Sequence, residues 1–154
     1  MGGFRRVFVG LLLGIVALQP SFNSARAAQD TRELVDLPPM MQEHMLGNMR
    51  DHLSALNEMF GALAEGNTAL AADIAEARLG MSSLSLHGAE HLGAFMPKAM
   101  GEIGTQMHLA ASRFVIVAQD AELNPGKAAQ HEVYKALQEI TDNCVACHQA
   151  YRIR

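Results

Sequence analysis

The sequence predicts an all-α domain, an antiparallel up-down-up-down four-helix bundle, on three observations. Ala, Leu, Met, Glu and Gln dominate the composition, Trp is absent, and β-branched runs are rare apart from Val115-Ile116-Val117. Apolar residues recur at three- and four-residue steps in four stretches, and no stretch shows the two-residue alternation of a half-buried strand. Short breaks rich in Pro, Gly and Asn separate those stretches, so each helix is expected to run antiparallel to its chain neighbour.

The chain opens with Arg5 and Arg6 ahead of an apolar run from Val7 to Leu18, the layout of an export signal. That run is too short to span a bilayer. Ala25-Arg26-Ala27 offers alanine at both positions a signal peptidase reads, so residues 1–27 are expected to be cleaved. Residues 28–154 then form a single domain beginning at Ala28. A retained N-terminal anchor is the alternative, although nothing after Leu18 extends the hydrophobic stretch. Residues 28 to 37 read as a short polar lead-in.

The first helix is expected from Pro38 to Glu65, because Pro38-Pro39 suits a first helical turn and Gly66-Asn67 suits a stop. Its inward stripe reads Met45, Met49, Leu53 (or His52), Leu56, Phe60 and Leu63. A second helix starts at Thr68, carries Leu70, Ile74, Ala77 and Met81 inward, and fades between Leu86 and Leu92. Pro97 opens the third, with Met100, Ile103, Met107, Ala111, Phe114 and Ala118 inward, and Asn124-Pro125-Gly126 ends it. The fourth runs from about Gly126 to Tyr151 and puts Val133, Leu137, Ile140, Cys144 and His148 on one side.

The whole chain carries 12 basic and 16 acidic residues, a net charge of −4. The leader holds Arg5, Arg6 and Arg26 and no acid, so the mature domain has 9 basic against 16 acidic groups, or −7. Such a surface repels nucleic acid and anionic lipid and suits basic protein partners. Neither nucleic acid binding nor stable membrane insertion is expected once the leader is gone.

Cys144-Val145-Ala146-Cys147-His148 fits the C-x-x-C-H rule for covalent attachment of a c-type haem. On a helix, residues i, i+3 and i+4 share a face, so two thiols can bond the porphyrin's vinyl groups while the imidazole reaches the iron. A thioredoxin-like pair would need a βαβ context that is missing here. A disulfide across two intervening residues would restrain little of the unfolded chain. One haem c per chain is therefore expected, held by Cys144 and Cys147 with His148 as an iron ligand.

Asn143-Cys144-Val145-Ala146-Cys147-His148-Gln149-Ala150-Tyr151-Arg152, on the last of four helices, resembles the class II c-type cytochromes, which comprise cytochrome c prime and its low-spin relatives. The architecture matches over the mature chain, but only this C-terminal motif is specific. The resemblance implies a haem between the helices of a bundle, a bacterial periplasmic location, redox protein partners and often a homodimer. It also places Arg152 near the haem on the His148 side, where a cation would balance the propionates. A solvated helix end, with Arg152 and Arg154 complementing the dipole, is an equal alternative.

The ligand opposite His148 decides what the haem does: a second strong ligand favours electron transfer, an open face gas binding. In low-spin members of the family it is a methionine of the first helix. Met41, Met45 and Met49 fall on one stripe here, and Met49 best resembles the family's placement, with Met45 as the alternative. These residues also suit ordinary core packing. His52 would give a bis-histidine haem instead, or a polar contact to it. An electron carrier is the favoured function, and a five-coordinate haem binding nitric oxide or carbon monoxide, as in cytochrome c prime, is the second.

A third reading is a copper-binding module, since His87, His91, Met96 and Met100, with Met107-His108 beyond, offer imidazole and thioether donors. Helix capping and core packing account for the same residues more simply. No Ser/His/Asp set, phosphate loop or carboxylate pair stands out, and the apolar stripe of the first helix argues against a polar peroxidase pocket, so no enzymatic activity is expected.

Overall fold

Pro38 and Pro39 start the first long helix as their fixed φ requires: Pro38 sits outside it at φ −53°, ψ 145°, and Pro39 is its first residue. In this computed structural model the described residues are 29–154; the leader, its cleavage site after Ala27 and Ala28 lie outside them. The elements in chain order are β1 (Glu33–Leu34), α1 (Pro39–Ala64), α2 (Thr68–Arg78), a 3₁₀ turn (Met81–Ser83), α3 (Ala89–Gly93), α4 (Lys98–Leu123), α5 (Lys127–Ala150) and β2 (Tyr151–Arg152). Helix dominates, as the sequence predicts, and residues 31–154 form one compact unit. No helix among the described residues is long and apolar enough to cross a membrane.

α1 closes on a left-handed glycine, Gly66 at φ 74°. Gly66 N–H donates to Leu63 at 3.1 Å and Asn67 N–H to Ala62 at 2.8 Å, satisfying carbonyls the helix end would strand. The Asn67 side chain then accepts from Leu70 N–H at 3.0 Å and caps α2. Two adjacent residues thus end one helix and begin the next.

α2 stops at Arg78, well short of the expected 86–92, because its next residues find other hydrogen bonds. The Ser82 hydroxyl donates to the Glu76 carbonyl at 2.9 Å and that of Ser83 to Gly80 at 2.7 Å. Such side-chain bonds compete with helix propagation. A Cβ at Gly80 would push the Glu76 carboxylate out of the position in which it meets Ser82 and Ser112. The chain then turns through Gly88, at φ 60°, into the short α3.

Glu76 fastens this turn to α4. Its carboxylate accepts from Ser112 Oγ at 2.7 Å and from Ser82 N–H at 3.2 Å, while Ser112 Oγ accepts from Met81 N–H at 3.0 Å. The Ser112 hydroxyl, helped by Ser82 and opposed by partial burial, holds the Glu76 carboxyl below its ordinary value of 4.5. The charged form is the one stabilised, so this contribution is complete above that value and fades as pH falls through the lowered one. Ser112→Ala is expected to cost about 1 kcal/mol at pH 7 and distinctly less at pH 3. Urea unfolding at the two pH values measures it, and an equal loss at both would refute the assignment.

α2 packs between α1 and α4, and α4 packs along α5. The main core is rich in alanine: Ala55, Ala62, Ala71, Ala72, Ala75, Ala110, Ala111, Ala118 and Ala136 are buried around Phe114, Met59, Leu79 and Ile140. This shifts the inward faces of α1 and α2 from the expected stripes. On α1 the buried residues are Met45, His52, Ala55, Met59 and Ala62, whereas Leu53 and Phe60 are 70% and 53% exposed. On α2 they are Ala71, Ala72 and Ala75, with Leu70 exposed. Small side chains let helices approach closely, so alanine marks the contact and the large residues flank it. α4 and α5 keep their expected faces as far as Ile140.

Residues 31–37 are not a polar tail, and the chain does contain strand pairing. β1 runs parallel to β2, Glu33 opposite Tyr151 and Leu34 opposite Arg152, and Val35 N–H donates to the Arg152 carbonyl at 2.8 Å. Val35 and Leu37 are buried beside Met45, Leu92 and Met100 in a second apolar cluster. The N-terminal segment is thereby tied to the residues that follow the C-x-x-C-H motif.

Candidate functional site

A cavity of about 730 Å³ opens among α1, the 3₁₀–α3 region, α4 and the end of α5. That lies within the range of small-molecule and cofactor pockets. Its lining brings the C-x-x-C-H residues Cys144, Cys147 and His148 from α5 together with Met45 and Met49 from α1. Leu56, Leu92, Met96, Met100, Ile103 and Met107 supply more apolar wall.

The i, i+3 spacing sends the two thiols toward different surroundings. Cys144 packs against the main alanine-rich core, whereas Cys147 packs against the second cluster with Met41, Met49 and Met96. Both are half-buried and unbridged. Burial raises both thiols above their ordinary value, so they are protonated near neutral pH. Cys144 Sγ lies 3.5 Å from the Ile140 carbonyl, one turn back. His148 is exposed at the end of α5, where no residue beyond Ile140 is fully buried.

The two methionines differ. Met45 is fully packed in the second cluster, while Met49 is only partly buried against it. Met41 packs against that cluster without lining the cavity. Arg152 does not line the cavity either: β2 holds it against Leu34, and the arginines on the lining are Arg50 and Arg154. Of the four residues read as a copper cluster, His87, Met96 and Met100 line the cavity, but His91 is exposed on α3 and stands apart.

What the sequence did not reveal is a cluster of three imidazoles on the same wall. His52 from α1, His87 from the loop after the 3₁₀ turn and His108 from α4 are all buried, at 9%, 8% and 7% exposure. Each presents a ring nitrogen, and the three nitrogens lie within 4.8 Å of one another. Burial, followed by the proximity of His87 and His108, pushes His52 down to about 4. Burial likewise lowers His87 and His108. All three rings are therefore neutral near pH 7, with lone pairs available. The wall is thus not the wholly apolar surface that the first-helix stripe predicts. The separations along the chain, 35 and 21 residues, form no local motif.

Neighbouring groups fix these rings. His108 Nδ1 is 2.7 Å from the Leu79 carbonyl and must donate to it, which leaves Nε2 as the acceptor. His44 and Asn48 side chains donate to the His87 carbonyl at 2.9 and 2.8 Å, pinning the loop to α1. His87 Nε2 faces Asp51 Oδ2 at 3.9 Å, and Asp51 is in turn paired with Arg78, which also bonds Glu58 at 2.7 Å. The Arg78 hydrogen bond holds the Asp51 carboxyl below its ordinary range.

Compared with known proteins, the chain matches no protein-family model, no curated protein and no solved structure.

Proposed function

We propose that this chain is an exported c-type cytochrome of the class II kind, a periplasmic electron carrier with one haem c. The observation that carries the reading is the convergence of Cys144, Cys147 and His148 with Met45 and Met49 on one cavity of about 730 Å³. Donor types and apolar lining fit a haem: two thiols, an imidazole and thioethers around a greasy slot. The helix order, the short links at 65–67 and 124–126, and the packing of α1 on α2, α2 on α4 and α4 on α5 further support an antiparallel up-down-up-down bundle of these four helices.

In this reading Cys144 and Cys147 would hold the haem covalently through thioethers, His148 of α5 would be an iron ligand, and Met49 of α1, with Met45 as the alternative, would be the second. Bound there, haem supplies a reversible ferric–ferrous couple, and thioether ligation raises its potential relative to a bis-histidine haem. Arg50 and Arg154, on the lining, take the propionate-balancing role that the resemblance gives to Arg152. The apolar part of the wall, with Leu56, Leu92, Ile103 and the methionines, would limit water at the iron, and the −7 charge of residues 28–154 would steer basic redox proteins.

The test is to express the full gene in bacteria competent in cytochrome maturation and purify the periplasmic product. A red protein whose mass is that of residues 28–154 plus one haem, with a sulfur-to-iron charge-transfer band when oxidised, is the expected result. A high-spin spectrum with avid carbon monoxide uptake after reduction would favour the gas-binding reading instead. A colourless polypeptide of bare-chain mass would end both.

A further inference from the structure

We infer that His52, His87 and His108 form a second metal site, a three-imidazole centre for a first-row transition ion such as zinc or copper. It goes beyond the haem reading and does not depend on it, since none of its ligands belongs to the C-x-x-C-H motif.

The first argument is geometric. An ion bound at 2.0–2.1 Å by three imidazoles needs nitrogens about 3.5 Å apart. His52 Nε2 and His87 Nδ1 already lie at 3.5 Å, and the third nitrogen is within 4.8 Å of both. The ring centroids, 4.6, 5.8 and 5.6 Å apart, surround a common point, and small side-chain rotations close the remaining gap. Three separate segments supply the rings, so the arrangement is a product of the tertiary fold and not of one helix face.

The second argument concerns cost. The ring nitrogens turned toward one another make long, weak contacts: His87 Nδ1 stands 3.5 Å from His52 Nε2 and 3.4 Å from Ser83 Oγ. A bound cation would replace these with short coordinate bonds. The outer groups are those a metal site needs. The Leu79 carbonyl fixes the His108 tautomer and leaves Nε2 to ligate, and the Asp51 carboxylate, itself anchored by Arg78, stands behind His87. Imidazole donors select zinc, copper, nickel or iron over calcium and magnesium, which require oxygen. The cavity that all three residues line leaves a fourth coordination position open toward its interior.

The site differs from the His/Met copper cluster that the sequence suggests. His91 and the methionines drop out, His87 and His108 stay, and His52 joins them.

The test uses the full mature protein as purified, with whatever haem it carries, stripped of loosely held metal by a chelator. It is titrated with Zn²⁺ against a chromophoric competitor and, separately, with Cu²⁺ followed by electron paramagnetic resonance. One ion per chain is expected, with hyperfine structure from three imidazole nitrogens in the copper form. His87→Gln and His108→Gln should each weaken binding at least about 100-fold, whereas His91→Gln should leave it unchanged. The hyperfine pattern is read on the unsubstituted protein, so it stands even if a variant fails to fold. Absence of stoichiometric binding, fewer than three nitrogens, or loss of binding in His91→Gln would overturn the site. So would a haem spectrum that shifts in His52→Gln, because it would assign His52 to the iron. A colourless product that still binds one ion would sink the haem reading and leave this one intact.

Discussion

Replacing Cys144 and Cys147 together by alanine is expected to give a processed chain with no covalent haem and a markedly lower melting temperature. The two thiols occupy the join between the molecule's apolar clusters, Cys144 against the alanine-rich core and Cys147 among the methionines. A group tethered at both points would fill the cavity between α1, α4 and α5 and join the two clusters. Loss of a ligand bound only by the folded state removes at least about 3 kcal/mol. For a domain of this size that corresponds to a fall of roughly 10 °C. Each single variant should retain one thioether, and so keep a haem that resists extraction by acidified organic solvent, while the double variant keeps none. Thermal unfolding, whole-protein mass and the visible spectrum report the three outcomes. A double variant that stays red with the haem still covalently bound would show that the motif is not the attachment point.

Local signals made much of this fold legible. Pro38-Pro39, Gly66-Asn67, Pro97 and Asn124-Pro125-Gly126 fall at helix ends because each acts through its own backbone: a fixed φ, a left-handed turn or a side-chain cap. The inward face of α4 was readable for the same reason, since Met100, Met107 and Phe114 are large and regularly spaced. The α2 terminus was not, because the decision at Gly80 rests on Ser82, Ser83 and Ser112 finding Glu76 and its neighbours from three elements. Nor were the faces of α1 and α2, where hydrophobic size misleads: Leu53, Phe60 and Leu70 are exposed while alanines make the contact.

The site divides along the same line. The C-x-x-C-H motif is compressed into five residues, so one turn of helix fixes its geometry and the sequence displays it whole. The pairing of Leu34 with Arg152, which holds that arginine away from the cavity lining, spans nearly the entire domain and leaves no local trace. The three histidines are equally dispersed. Each had an ordinary reading where it stood, and only the packing of α1, the loop and α4 makes them a cluster. The hints were that His52 falls on the inward side of α1, where Leu53 was the more apolar choice, and that His87 and His108 both belonged to the His/Met copper reading.

Substitution of Met49 and Met45 in turn is expected to separate ligation from packing. Met45 is enclosed by Val35, Leu37, Leu92 and Met100, so Met45→Ala removes core contacts and should cost about 2–5 kcal/mol of stability. The sulfur-to-iron charge-transfer band should nevertheless survive if Met49, and not the packed Met45, is the ligand. Met49 is only partly buried and faces the same cavity, so Met49→Ala should cost less stability. Its effect should fall on the iron: the band is expected to disappear, the oxidised haem to turn high-spin, and the reduced form to take up carbon monoxide more readily than the parent protein. One methyl thioether would then be all that separates a carrier from a gas binder on the same bundle. Denaturant titrations and optical spectra of the two variants make the distinction. If Met45→Ala loses the band and Met49→Ala keeps it, the ligand lies one turn earlier on α1. If both keep it, the sulfur comes from Met96, Met100 or Met107, the remaining thioethers on the wall.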